Sequence, residues 1–234
     1  MLYYQTISPG LRDVLNKLMQ LNELALFRLV GGTSLALQIG HRKSIDIDLF
    51  SNHAFDNKVL QGVLQKTFND FSITWANQNG FTCIINDIKT DIFNWNTSFI
   101  LPAYQEDTLR LMHKEEIAAM KFEAVTNRKE KKDFYDIAFL LQEYTLQHLL
   151  TLFSKKYPFL DRKMVIESLA SVHFADSSLD PILFKEMEWA TAKNIILNTV
   201  ELYYEEQISN KKKLQEERLR NAEQLLKQKK KKNE

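Results

Sequence analysis

Two aspartates separated by one residue, Asp46 and Asp48, are the side chains of this sequence best placed to do chemistry. They alternate with isoleucine and leucine over residues 44–50, a pattern that predicts a β-strand. Residues i and i+2 of a strand point to the same face, so both carboxylates project together, about 6 to 7 Å apart along the backbone. Two negative charges this close repel, and a divalent cation relieves the repulsion. Oxygen ligands of this kind suit magnesium that carries nucleotide phosphates.

A third aspartate, Asp91, has similar surroundings in residues 89–93, on a predicted strand that can pair beside the first. A third carboxylate there would complete a cluster able to hold two metal ions. In two-metal phosphoryl transfer, one ion activates the attacking hydroxyl and the other neutralises the leaving pyrophosphate. Asp91 is therefore the candidate general base. The alternative for an Asp-x-Asp strand is an exposed edge whose polar residues face water.

A glycine pair precedes the acidic strand. Gly31 and Gly32 are followed by Thr33 and Ser34 at the predicted start of a short helix that Gly40 ends. At a helix start, backbone N–H groups and a hydroxyl can hold phosphate oxygens without a side chain in the way. A Gly-Gly pair by itself usually marks only a turn, so its weight comes from its position before the aspartates.

A cluster of charged residues lies further along, in two consecutive predicted helices. Lys121 and Arg128 are seven residues apart and share one helix face if the helix continues that far. Lys132 precedes Asp133, a candidate N-cap of the second helix. Asp136 is suited to orienting an otherwise unpaired lysine. Taken alone, such a cluster is more often a surface network of salt bridges than a site.

The elements that must position these residues divide the chain into two regions and a tail. Residues 1–105 are predicted to form a mixed α/β unit, with helices at 11–27, 33–39 and 59–68 and strands at 44–50, 71–75, 81–85 and 88–93. Residues 106–206 are predicted to be helical, with helices at 114–125, 133–144, 146–153, 162–172 and 181–204. The predicted fold class is therefore α+β, a mixed-sheet domain followed by a helical domain.

Composition narrows the class of protein further. A chain of 234 residues, 44% of them apolar, can bury a substantial core in one large domain or two small ones. The single cysteine, Cys83, excludes a disulfide within the chain, and the first residues lack a signal-peptide pattern, so a cytoplasmic location is expected. No run of eighteen apolar residues occurs, so no membrane association is expected.

The tail, residues 207–234, is rich in lysine and is predicted to be helical or disordered. Residues 211–234 hold ten Lys or Arg against four Glu, a net charge of +6, whereas the whole chain carries only +1. Such a tail can dock on phosphate backbones or on an acidic protein by releasing counterions. A solvated, frayed helix is an equally good interpretation.

The order of these motifs resembles that of the DNA polymerase β-like nucleotidyltransferase superfamily. The glycine pair and two aspartates within residues 31–48 are similar to its first motif, and Asp91 to its third carboxylate. A later part of the sequence resembles the AbiEii/AbiGii toxin family within this superfamily. It runs from Ile117-Ala118-Ala119-Met120-Lys121 through Asn127-Arg128 to Lys132-Asp133-Phe134-Tyr135-Asp136. The resemblance covers roughly residues 25–145. All of these motifs in one order are far more specific to the family than any one motif alone.

The resemblance implies a role for each matching position. The implied metal ligands, for two Mg²⁺ ions, are Asp46, Asp48 and Asp91. The implied catalytic set adds Lys121, which would meet the NTP phosphates, and Asp136, which would support that lysine. The implied nucleotide-binding residues are Gly31, Gly32, Thr33, Ser34, Arg128 and Lys132. The superfamily motif often has serine where this sequence has Gly32, so Thr33 or Ser34 is expected to supply the hydroxyl instead.

The function implied by the resemblance is transfer of NMP from an NTP to an acceptor hydroxyl, in a cleft between the two domains. It further implies a toxin of phage defence that modifies RNA, at the 3′ end of tRNA, and is neutralised by a cognate antitoxin. Three alternatives remain open from the residues alone. The acceptor can be a protein hydroxyl or small molecule; the chain can be an inactive nucleotide- or RNA-binding module; or it can be a helical adaptor that binds no NTP.

Overall fold

The computed structural model describes residues 1–95 and 97–232, with side chains described as far as Asn221. Its strands are β1 (Arg28–Leu29), β2 (Ile47–Ser51), β3 (Phe71–Asn77), β4 (Gly80–Ile85), β5 (Ile88–Asn94), β6 (Tyr104–Glu106) and β7 (Leu109–Leu111). Its α-helices are α1 (Pro9–Gln20), α2 (Gly31–Ile39), α3 (Asn57–Thr67), α4 (Lys114–Asn127), α5 (Lys131–Leu141), α6 (Leu146–Lys156), α7 (Arg162–Ala170) and α8 (Trp189–Lys232). Short 3-10 helices span Tyr4–Thr6, Asn22–Leu24 and Val172–Ala175.

These strands form one mixed sheet in the order β3-β4-β5-β2-β1-β7-β6. The predicted hairpin between β4 and β5 is confirmed, and its turn residues Asn86 and Asp87 both have positive φ, as a tight two-residue turn requires. Strand β2 pairs in parallel with β5, and the register places Asp48 directly beside Asp91. Side chains of directly paired residues lie on the same face, so the fold brings these two carboxylates together.

Two apolar clusters hold the sheet between layers of helices, which confirms the predicted α+β class. One cluster packs α1 and α3 against the sheet, with Leu15, Leu64 and Phe81 among its buried members. The other unites α4 to α8 around Phe122 and also includes Phe50 of β2. The helical region is therefore packed directly onto the strand that carries Asp48. The domain boundaries after residues 105 and 206 stay predictions.

Helix α1 is shorter than the predicted helix at 11–27. Leu21 has an extended backbone, and the chain turns through a 3-10 helix instead of continuing. The guanidinium of Arg110 donates hydrogen bonds to the carbonyl oxygens of Met19, Leu24 and Phe27, at 3.0, 2.9 and 3.1 Å. These bonds satisfy carbonyls that a helix would otherwise have used, and they come from a residue too distant in sequence for periodicity to reveal.

The predicted helix at 181–204 is also corrected, because helix α8 begins only at Trp189. Residues 181–188 run beside the α2–β2 connection instead. The backbone N–H of Lys43 donates to Ile182, and that of Phe184 donates to His41, each at 2.8 Å. These backbone bonds replace the helical ones and hold the segment against the connection that carries the acidic motif.

Helix α8 contains 44 residues and is therefore about 66 Å long. Among its described side chains, Tyr203 is the last buried one, and residues 204–221 are exposed. Helix α8 continues into the tail as far as Lys232. Among the described residues, α8 and the other helices include none with the length and hydropathy needed to cross a membrane.

Candidate active site

A cavity of about 1030 Å³ lies between the sheet and helices α4 and α5. Most of the residues implied as site residues line it, namely Gly31, Gly32, Thr33, Asp46, Asp48, Asp91, Lys121, Arg128 and Lys132. The two exceptions are Ser34 and Asp136, which lie behind its wall. Residues separated by a hundred positions in sequence are thus gathered around one space large enough for a nucleotide.

The three aspartates interact electrostatically across this cavity. Asp48 projects from β2 and Asp91 from the neighbouring β5, while Asp46 immediately precedes β2. Burial, reinforced by the negative charges of Asp91 and then Asp46, raises the pKa of Asp48 to about 6. The ionised form of Asp48 is therefore less favourable than that of an ordinary aspartate, and a nearby cation would stabilise it.

Asp91 already has two partners on the sheet. Its Oδ1 accepts a hydrogen bond from the hydroxyl of Thr82 on β4, and its Oδ2 contacts the ammonium of Lys89, both at 2.6 Å. Among the described side chains, those of residues 1–95 and 97–221, no three acidic, histidine or cysteine groups converge on one point closely enough to enclose a metal ion. The donor set still fits magnesium, because all three groups are carboxylates, which are hard oxygen ligands, and they repel one another.

The N-terminus of α2 is open toward the cavity. Its N-cap residue, Val30, has no polar side chain, so none caps the first N–H groups of the helix. Gly31 has a φ of +66°, and a Cβ there would lie 2.4 Å from Oδ2 of Asp48. A Cβ on Gly32 would lie 2.6 Å from Nη2 of Arg42. A side chain at Gly31 would therefore be strained, and one at Gly32 would displace the guanidinium of Arg42, so the two glycines leave the helix start open to an anion.

The two hydroxyls beside this glycine pair are both engaged within the protein. Thr33 Oγ1 donates to the carbonyl oxygen of Asp46 at 2.5 Å, which ties the acidic motif to α2. Ser34 Oγ accepts a hydrogen bond from Gln38 at 3.1 Å and lies 3.4 Å from the carbonyl oxygen of Met112. The structure thus does not bring Ser34 to the cavity, because its position on α2 directs it into the protein.

A buried network of charges supports the other side of the cavity. The ammonium of Lys121 lies 2.8 Å from Asp133 and 2.6 Å from Asp136. Burial lowers the pKa of Lys121, but these two carboxylates raise it overall, so the side chain is held as a cation at the cavity wall. The prediction of Asp133 as the N-cap of α5 is wrong. Glu130 occupies that position, and Asp133 lies within the first turn.

Asp136 is the centre of this network. It accepts a bidentate pair from Arg42, at 2.6 and 2.8 Å, and a hydrogen bond from Nε2 of His41 at 2.6 Å, in addition to its contact with Lys121. Burial would raise its pKa, but the charges of Arg42 and Lys121 hold the pKa of Asp136 well below its ordinary value. Asp136 is therefore an ionised anchor for Arg42 and Lys121, two cations that line the cavity.

His41 and Arg42 are the site residues that the sequence analysis missed. Arg42 lines the cavity beneath Gly32 while binding Asp136, so it links the glycine pair to the lysine-bearing helix. Burial lowers the pKa of His41, which keeps the imidazole neutral. The available signal was three adjacent basic residues, His41, Arg42 and Lys43, immediately after the helix-ending Gly40.

Arg128 and Lys132 lie at the rim. Arg128 donates to Asp133 at 2.7 Å and Lys132 pairs with Glu130 at 2.8 Å, yet both cationic side chains remain nearly half exposed. Exposed cations of this kind can rotate toward an anionic ligand at small cost. Together with Lys121 and Arg42, they make one wall of the cavity basic, opposite the acidic wall formed by the aspartates.

Substitution of Gly31 by alanine is expected to abolish nucleotide binding. The added Cβ is incompatible with the positive φ and with Asp48, so the helix start or the carboxylate must move. Thermal shift with NTP and magnesium is the measurement. The matched control is Gly62→Ala in α3, where a Cβ meets nothing within 4 Å and is expected to add about 0.5 to 1 kcal/mol of stability. An NTP-induced shift equal to that of the wild type would contradict the assignment of this turn.

Most of this chain matches a known protein family. Residues 13–78 and 83–224 match the family model described as nucleotidyl transferase AbiEii toxin, type IV TA system. An uncharacterised protein of Aquifex aeolicus (strain VF5) is 29% identical over 202 residues, which cover 83% of this chain and 96% of that protein.

Two crystal structures from Helicobacter pylori have a similar fold. JHP933 is 20% identical, with a TM-score of 0.57 over 88% of this chain and 93% of its own. The other, assigned in its name as a nucleotidyltransferase, is also 20% identical, with a TM-score of 0.56 over 84% of this chain and 92% of its own. At this identity the likeness concerns the fold alone.

Proposed function

Because the chain belongs to the AbiEii family of nucleotidyltransferase toxins, we propose that it transfers NMP from an NTP to a ribose hydroxyl of RNA, at the 3′ end of tRNA. The family establishes a nucleotidyltransferase and a type IV toxin, whose partner is an antitoxin. The observation that carries the proposal is the register of β2 and β5. It sets Asp48 beside Asp91 in the same cavity as the uncapped start of α2 and the ammonium of Lys121.

The metal in this proposal is magnesium, with two ions expected. Asp46, Asp48 and Asp91 would hold it, and when bound it would neutralise charge on the triphosphate and on the attacking oxygen. The chemistry of the donor set supports this choice, since three carboxylates without a softer ligand favour magnesium over zinc. Repulsion among the three acids also makes the cavity more favourable for a cation.

The triphosphate lies, in this proposal, between α2 and α4. The N–H groups of Gly31 and Gly32 donate to its oxygens without an intervening side chain, and the helix dipole of α2 adds partial positive charge. Lys121 and Arg42 supply fixed charges from the buried network, so little reorganisation is needed when negative charge builds up on the phosphates. Arg128 and Lys132 reach the ligand from the rim.

Asp91 is the proposed general base. The acceptor hydroxyl gives its proton to the carboxylate, its oxygen forms a bond to the α-phosphorus, and the bond from the α-phosphorus to the bridging oxygen breaks to release pyrophosphate. Thr82 fixes one oxygen of Asp91, which leaves the other to exchange Lys89 for the incoming hydroxyl. This positioning requires no movement of the sheet.

RNA is the proposed acceptor for two reasons. A catalytic base at the bottom of a cavity needs a substrate hydroxyl on a flexible end, which the single-stranded 3′ end of tRNA provides. The basic helix α8 also extends beyond the packed part of the protein, where it can contact phosphate backbones. Intact Asp46, Asp48 and Asp91 argue against an inactive binding module. The proposed setting is the cytoplasm, in defence against phage.

The test is incubation of the full chain with total RNA, magnesium and each NTP labelled at the α-phosphate. We expect label in RNA with one or more NTPs, and at least about a thousandfold less with Asp91→Asn, which keeps the size of the side chain. The same NTP labelled at the γ-phosphate is the control, because NMP transfer releases that phosphate. Label found only in protein or in a small molecule, or transfer of the γ-phosphate, would contradict the proposal.

The toxin role is tested separately by expressing the chain alone in bacteria. Growth arrest by the wild type and normal growth with Asp91→Asn are expected. Unaffected growth beside strong RNA labelling would refute toxicity while leaving the enzymatic reaction intact.

A further inference from the structure

A second cavity, of about 530 Å³, opens beside the first. It shares three lining residues with the larger cavity, namely Phe50, Asp91 and Trp95. Its remaining lining residues are Asn77, Asn79, Phe93, Asn94 and Thr97. The proposed general base therefore stands between two spaces, of which the nucleotide occupies one.

The aromatic side chains of this second cavity are already arranged in layers. The indole of Trp95 is stacked on Phe50, with ring centroids 4.6 Å apart and planes inclined by 15°. Phe93 meets Phe50 edge to face at 6.2 Å and lies 5.8 Å from the half-exposed Trp75. Such a layered group offers flat apolar faces against which another ring system can stack.

Polar atoms that lack partners lie among these rings. Nε1 of Trp95 and Oγ1 of Thr97 are buried, and neither has a hydrogen-bond partner among the described residues. Buried donors normally find partners, so these two mark a position for a ligand group. The carboxamides of Asn77, Asn79 and Asn94 add both donors and acceptors, which match the hydrogen-bonding edge of a nucleobase.

The second cavity lies on the side of Asp91 from which the acceptor must approach. Gly31 contacts Asp48 on β2, so the triphosphate side of the site lies toward β2 and α2. Asn77 ends β3 and Asn79 lies in the β3–β4 turn, on the far side of β5 from β2. A molecule in the second cavity therefore approaches Asp91 from the side opposite the triphosphate, the direction from which an attacking hydroxyl must come.

We propose that the second cavity binds the 3′-terminal nucleobase of a single-stranded RNA and thereby directs the terminal ribose hydroxyl to Asp91. Stacking on aromatic side chains together with amide contacts to base edges is how proteins recognise unpaired RNA bases. Among the described residues that line the cavity, Asp91 is the only charged one, so the cavity suits a neutral base, while the phosphates remain outside. This inference rests on the proposed function, because it assigns a place to the RNA acceptor of that reaction.

The first test measures binding without NTP or metal. The probe is a single-stranded RNA of about ten nucleotides with a 5′ fluorophore and a free 3′ hydroxyl, followed by fluorescence anisotropy with the full chain. Trp95→Ala is expected to weaken binding about tenfold, and Trp95→Phe to restore most of it, because one stacked base contributes an effect of this size. Phe159→Ala is the matched control, since this aromatic residue is 97% exposed and does not line the cavity.

A double-mutant cycle identifies which nucleotide Trp95 contacts. The same RNA is prepared with an abasic 3′-terminal nucleotide, and both probes are measured with the wild type and with Trp95→Ala. The abasic probe should bind the wild type about tenfold more weakly, and the variant should discriminate little between the probes. Equal discrimination by both proteins would overturn the proposal, as would equal binding of both probes by the wild type.

The thermal shift caused by NTP and magnesium separates loss of the cavity from loss of the fold. Asn79→Ala, which changes a residue of the smaller cavity alone, should retain the wild-type shift. Where Trp95→Ala does not fold, Asn79→Ala replaces it in the binding cycle. In steady state both variants should raise KM for RNA, and Asn79→Ala should leave KM for NTP unchanged. If the wild type labels no RNA, the proposed function fails, and the binding cycle still decides whether the cavity holds a terminal base.

Discussion

Replacement of Asp48 by asparagine is expected to reduce NMP transfer by at least about a thousandfold while the chain remains folded. Asp48 is the aspartate that lies next to every other part of the site. It lies against Gly31, pairs in register with Asp91 and follows Asp46 by two residues. Asparagine has nearly the same shape but no negative charge, so it weakens cation binding with little effect on packing. The measurement is transfer from α-labelled NTP under saturating magnesium. Asp70→Asn, a change at an exposed acid, is the matched control.

The same substitution should change how stability depends on pH. The pKa of Asp48 is about 6 in the folded chain and 3.8 in its ordinary range, so between these values the folded state binds a proton that the unfolded state has released. Its contribution to stability is therefore complete below pH 4 and is lost as the pH rises through 6. Without divalent cations, Asp48→Asn should raise Tm relative to the wild type more at pH 8 than at pH 4.

Magnesium should reverse this difference at pH 8, because it binds the ionised carboxylates of the wild-type folded state and stabilises that state by mass action. If the difference in Tm between the wild type and the variant is the same at pH 4 and pH 8, the electrostatic description of the three acids is contradicted. A variant that keeps wild-type transfer activity would contradict the assignment of the site.

Replacement of Asp136 by asparagine is expected to lower the free energy of unfolding by about 3 to 5 kcal/mol, the usual cost of removing one partner of a buried ion pair. The carboxylate binds Arg42, Lys121 and His41, all of them buried. Asparagine cannot accept all these hydrogen bonds, and it leaves two buried cations with only Asp133 to balance them. Urea unfolding at pH 7 is the measurement.

The matched control for Asp136 is Asp180→Asn. Asp180 also pairs with a lysine, Lys131, at 2.9 Å, but its side chain is 69% exposed. The control should lose no more than about 1 kcal/mol. We also expect Asp136→Asn to raise KM for NTP, because Lys121 and Arg42 lose their common anchor. A loss of stability equal to that of the control would refute the central place given to Asp136.

Local spacing in the sequence was sufficient to predict the features that depend on neighbouring residues. The alternation around Asp46 and Asp48 predicts their strand, and Asn86-Asp87 predicts the hairpin that leads to Asp91. The resemblance to a known family supplied what spacing could not, namely that these strands are neighbours. Neither local spacing nor the family resemblance predicts side-chain pairings between residues far apart in the sequence. Arg42 meets Asp136 across 94 positions, and no periodicity encodes such a partnership.

Long separation in sequence also explains the errors in element boundaries. Arg110 ends the first helical segment through carbonyls more than eighty residues away, including that of Leu24. Ser34 has a favourable position in the glycine motif, yet the backbone carbonyl of Met112 lies close to it behind the cavity wall. In both cases a tertiary contact overrides a sound local interpretation.

The larger cavity takes its lining from positions as far apart as Val30 and Ile182. A ribosome synthesises these pieces in order, so the glycine turn and the aspartates emerge well before Lys121, and residues 177–182 emerge last. A chain released from the ribosome before residue 177 consequently lacks the last segment of the larger cavity. Its nucleotidyltransferase activity is expected to appear only once residues 177–182 have been made.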